Sequence, residues 1–152
     1  MAYTRAQAQQ QVLDTLAAAT DEIGVALAGM TAAYEQLDEA SADRLEAALF
    51  RPLQAAYGQA QRAHAEFARR NGLGERRFTA GNPQVREHDA PGIIAAAADA
   101  AADAEPTLAE LQDSMLPVEV GDPPLRAALE SVRRLLDEVA RRTREVTRTL
   151  GR

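Results

Sequence analysis

Residues 73–90 read LGERRFTAGNPQVREHDA, the longest stretch of the chain without a hydrophobic period. Glycine, proline and polar residues recur there too often for a helix to persist. At 18 residues it exceeds the ~2–8 that join helices in bundles, and loops of that length are more often functional than merely connective. Two helical stretches lie before it and two after it.

The first stretch spans about 4–39, with Val12, Leu16, Ala19, Ile23, Met30 and Leu37 on one face. Steps of three and four define an amphipathic helix. Ser41 reads as the N-cap of the second stretch, 41–71, whose seam is Leu45, Leu49, Leu53, Ala60, His64 and Phe67. Asn71–Gly72 supplies its stop. The third stretch, 91–115, follows Ile94, Ala97, Ala101, Ala104, Leu108, Leu111 and Met115. The fourth, 123–150, opens with Asp122–Pro123–Pro124, an acidic cap followed by proline where no helical hydrogen bond is lost. Its seam runs Leu125, Leu129, Val132, Leu136, Val139, Thr143, Val146 and Leu150.

Charge alternates with these stretches. Residues 1–50 carry eight acids and two arginines, 51–90 four acids and seven arginines, 91–125 seven acids and no base, and 126–152 four acids and eight arginines. In an up-down-up-down bundle, an acidic–basic–acidic–basic order gives every neighbouring pair opposite sign. The expected fold is therefore all-α: an antiparallel up-down-up-down four-helix bundle, one domain over 1–152, with a long loop between helices two and three.

Composition removes several chemistries. Cysteine is absent, which excludes disulfides, thiolate metal sites and a cysteine nucleophile. All 17 basic residues are arginine, so no lysine serves a Schiff base or a phosphate loop. Heavy use of arginine and alanine is what GC-rich bacterial coding produces. The net charge of −6 argues against general affinity for nucleic acid or anionic membranes. No secretory leader and no uninterrupted apolar span is read, so the expected location is cytoplasmic.

Candidate sites are few. Glu-x-x-His and His-Glu-x-x-His are both missing, and no serine sits in a Gly-x-Ser-x-Gly turn. His64, on an apolar seam, reads first as a hydrogen-bonded core histidine. Its second reading is a metal or acid–base site with His88 and Asp89, if the long loop closes the end of helix two. Pro52 and Pro106 interrupt helical patterns and should each kink or split their helix. Together they could open a ligand pocket lined by Leu27, Met30, Leu53, Leu108, Val132 and Leu136. The arginines of the fourth stretch stand four residues after acids, as in Glu130–Arg134, Asp137–Arg141 and Glu138–Arg142, which describes a self-paired surface. Arg76, Arg77 and Arg86, with Phe78 among them, form the best interaction site, suited to an acidic partner or a phosphate.

The expected function is a non-enzymatic interaction or scaffold module with no cofactor, an unidentified protein partner and scope for a homodimer. The alternative is a ligand- or metal-binding bundle using the kinked core or the His64/His88 end.

Overall fold

The computed structural model describes residues 4–81 and 89–150, the side chains of 147, 149 and 150 excepted. It is all-helical, with no strand among the described residues. Helix α1 spans Arg5–Tyr34. Helix α2, Glu39–Leu45, runs through a π turn, Glu46–Phe50, into α3, Arg51–Arg70. Helices α4, Ala90–Asp113, α5, Leu116–Glu119, and α6, Pro123–Leu150, follow.

Local chemistry sets these boundaries. Thr4 and Gln7 form a reciprocal capping box at the start of α1. Asp38, not Ser41, caps α2: its carboxylate accepts the Ser41 N–H at 2.7 Å. A carboxylate is the stronger acceptor, and Ser41 then lies in the first turn. Asp89 caps α4 by accepting the Gly92 N–H at 2.8 Å. Asp122 does the same for α6 through the Leu125 N–H at 2.9 Å.

The two prolines behave differently. Pro52 has no N–H for the carbonyl of Ala48, and the helix widens into the π turn just before it. The Arg142 guanidinium of α6 reaches the freed carbonyls of Ala47 and Ala48 at 3.5 and 3.4 Å. Helix α4 continues through Pro106 as one α-helix, so the expected split there does not occur.

Each long helix packs against two others. Helix α1 lies against α4, its most extensive pairing, and against α3; α6 lies against α3 and α4. The register follows from individual contacts. Gln9 of α1 donates to Asn71, at the end of α3, at 2.8 Å. Gly29, near the end of α1, meets Ala97, near the start of α4, so closely that a Cβ on Gly29 would stand 2.9 Å from that of Ala97. Arg70, at the end of α3, binds Asp122, at the start of α6.

Helix α3 therefore ends beside the start of α1, whereas α4 begins beside the end of α1. Helices α3 and α4 run in the same direction, and the up-down-up-down order is not the one adopted. The acidic helices α1 and α4 are neighbours, as are the arginine-rich α3 and α6. Packing decides this order: small residues at Gly29 and Ala97 let α1 and α4 approach closely, and their buried area outweighs solvent-screened repulsion.

The core joins the seams of all four long helices. Val12, Leu16, Ile23, Met30, Leu45, Leu49, Leu53, Ile94, Leu108 and Leu129 are fully buried. Each fully buried leucine or isoleucine contributes about 2 kcal/mol relative to exposure. Met115 departs from its expected seam position. It is 51% exposed and takes a left-handed φ of 67° where the chain leaves α4.

Candidate anion-binding site

The segment after α3 turns back along the helices. The end of α3 is a Schellman motif, in which the Leu73 N–H donates to Ala68 O at 2.8 Å and the Gly72 N–H to Arg69 O at 3.3 Å. Gly72 takes φ 68°, which glycine adopts without strain. Residues 73–81 then climb the groove between α1 and α3. Arg76 pairs with Asp21 of α1 at 2.9 Å, and Gly81 lies level with Val25.

Phe78 closes this extended segment onto the helices. Its ring meets the imidazole of His64 edge-on, with centroids 5.1 Å apart, and the Arg76 guanidinium lies 4.7 Å from its centroid. His64 is 4% exposed. Burial pushes its pKa below the ordinary histidine value and the charge of Arg76 adds to this, against the opposing pull of Asp14 and Glu75. The imidazole is thus neutral at pH 7, and its Nδ1 has no hydrogen-bond partner among the described residues. The expected hydrogen-bonded core histidine is buried as anticipated, but an aromatic edge replaces the polar neighbour.

On the outer side of this segment lies a pocket of about 440 Å³ lined by Gln61, Arg62, Ala65, Arg76, Arg77, Phe78 and Thr79. Three arginines line it and, among the described residues, no acid does. Arg76 is committed to Asp21. The neighbouring acids face elsewhere, Glu66 to Arg70 and Glu75 to Arg69. Arg62 and Arg77 make no ion pair among the described residues. Two arginines with no ion pair among the described residues, a neutral amide, a hydroxyl and an aromatic wall can hold an anion carried on a short apolar stem.

Of the residues expected at this site, Arg76, Arg77 and Phe78 are brought together, and Arg86 lies outside the described residues. Gln61, Arg62 and Thr79 were not anticipated. The available signal was the Asn71–Gly72 stop: an extended segment that folds straight back along its own helix sets residues after the stop beside residues about two turns before it.

Asp89 is not brought to His64, which the metal reading required. Asp89 caps α4 at the far end of α1, whereas His64 lies near the level of Leu16; about 20 residues of α1 separate the two levels, or about 30 Å. The chain climbs away from the end of α3 instead of closing it. His88 lies outside the described residues, and no group of three potential metal ligands forms among the described ones. Met30, Leu53, Leu108, Val132 and Leu136 are buried in the core, and Leu27 packs against its rim. They are packed against one another and line none of the described pockets.

A second pocket, of about 430 Å³, opens beside the π turn between Ser41, Arg44, Ala47, Ala48, Arg142, Glu145 and Val146. Its arginines are occupied: Arg142 by Glu138 and the two carbonyls, Arg44 by the Ser41 hydroxyl at 3.2 Å. On α6 all three expected acid–arginine pairs form, Glu130–Arg134, Asp137–Arg141 and Glu138–Arg142. Helix α1 is long and apolar enough to cross a bilayer by length and composition, with 56% of its most apolar window buried inside the fold.

No protein-family model matches the chain, and neither the curated proteins nor the solved structures include a match to it.

Proposed function

We propose that this protein is a non-enzymatic interaction module, an antiparallel four-helix bundle whose long middle connection carries an anion-binding site for an acidic segment of a partner protein. The helix pairings support the bundle: α1/α3, α1/α4, α3/α6 and α4/α6 are neighbours, and the contacts that fix their registers run antiparallel. One observation carries the binding site. Arg62 and Arg77 line a common pocket with no acid among its described lining residues, in a protein whose net charge is −6. Where acids outnumber bases, an arginine left without a carboxylate is available to one from outside. Such clusters recognise acidic or phosphorylated motifs, and arginine beside an aromatic ring is the composition of an interface hot spot.

The test is fluorescence anisotropy of a labelled hexaglutamate peptide at low ionic strength. Binding should weaken steeply with added salt, and Arg62→Ala and Arg77→Ala should each reduce affinity by about tenfold. Circular dichroism should show both variants folded. No binding, or binding indifferent to both substitutions, overturns the reading.

A further inference from the structure

Resting on that reading, we infer that the pocket between α3 and the rising segment is built for a phosphorylated side chain of the partner rather than for a carboxylate. The charge balance points this way. Arg76 is neutralised by Asp21, whereas Arg62 and Arg77 have no ion pair among the described residues. A phosphate monoester carries about −1.5 to −2 at neutral pH and matches both, whereas a carboxylate leaves one unmatched.

Donor count and placement agree. Arg62 and Gln61 approach from the helix, Arg77 and Thr79 from the segment, so donors come from two sides of the pocket. A phosphate presents three terminal oxygens in a tetrahedral spread and accepts from several directions at once. A carboxylate presents two oxygens in one plane, the shape a single guanidinium satisfies. The pocket also exceeds the size of a bare anion, and Phe78 and Ala65 give its wall apolar surface for the stem that bears the phosphate.

The test uses three small probes: N-acetyl-O-phosphoserine methylamide, N-acetylglutamate methylamide and inorganic phosphate. Each is titrated into the full chain at pH 7.5 and followed by amide and guanidinium NMR shifts. The phosphoserine probe should shift signals of residues 61–62 and 76–79 and bind at least about tenfold more tightly than the glutamate probe. That ratio should fall towards one at pH 5, where the phosphate loses its second charge. Arg62→Ala and Arg77→Ala should each shrink it. Equal binding of the phosphoserine and glutamate probes overturns this inference and leaves the acidic-segment reading standing. Inorganic phosphate binding as tightly as phosphoserine means a free-anion site and overturns the side-chain assignment. No binding by any probe overturns both.

Discussion

Arg70 grips Asp122 with two parallel hydrogen bonds, Nε to Oδ2 at 2.7 Å and Nη2 to Oδ1 at 2.8 Å, tying the last turn of α3 to the first of α6. Burial of Asp122 works against its ionisation. The hydrogen bonds from Arg70 and the Leu125 N–H, and the charges of Arg70 and Arg126, outweigh it and hold the carboxyl below its usual pKa. Because the folded value is depressed, this stabilisation is present above the unfolded value of about 4 and is lost as pH falls through the folded one. Asp122→Ala removes both the fork and the helix cap. It should cost about 1–2 kcal/mol in urea denaturation at pH 7 and far less at pH 2.

Glu22 reports on the pairing of two acidic helices. Burial raises its pKa, and Asp103 of α4 and Asp21 beside it raise it further. One of its carboxylate oxygens is buried without a hydrogen-bond partner among the described residues. A raised acid favours the fold below its unfolded pKa, and that contribution is lost as pH rises through the folded value. Glu22→Gln should therefore raise the Tm at pH 7, and the gain should vanish near pH 4, as scanning calorimetry would show. A lower Tm at pH 7 would mean that the charge is compensated.

The His64–Phe78 contact makes the order of this segment sensitive to acid. Neutral His64 is compatible with the closed segment, and its folded pKa is depressed. The contribution is intact above about pH 6.5 and declines as pH falls through the folded value. Imidazole NMR should show His64 titrating below ordinary histidine. Phe78→Ala should move that titration upward and speed amide exchange over residues 73–81 while sparing the core helices.

At the π turn, Arg142 supplies to Ala48 what Pro52 cannot. Arg142→Ala should cost about 1 kcal/mol by uncovering the carbonyls of Ala47 and Ala48. In a Pro52→Ala background residue 52 regains its N–H, and the same substitution should cost less. A double-mutant cycle with zero coupling would show that the guanidinium serves only its pair with Glu138.

The helices were legible because burial writes a period into them. Leu45, Leu49, Leu53, His64 and Phe67 lie on one expected face and are buried together. Helix order was not legible from charge. Exposed charges are solvated and screened, so alternating blocks do little to select neighbours. The close approach of Gly29 to Ala97 does select them, and no short-range pattern pairs residues 68 positions apart. The decisive clue is the length of the middle connection. Helix α3 ends level with Gln9 and α4 begins level with the end of α1, so the chain has to cover about 40 Å between them. The site was half legible for the same reason. Arg76, Arg77 and Phe78 stand out by composition, but Arg62 joins them only once the segment is known to climb beside α3.

That rise also acts as a ruler. Extended backbone advances at most about 3.3–3.6 Å per residue, so about twelve residues are the fewest that span 40 Å. The 17 residues of 73–89 leave modest slack. A chain trimmed below that minimum could no longer seat α4–α6 on its own α1–α3. The two hairpins would still present complementary faces, and each would dock on its counterpart from another molecule. The length of one connection thus keeps the protein folded upon itself, where a shorter one would turn the same helices into an exchanged dimer.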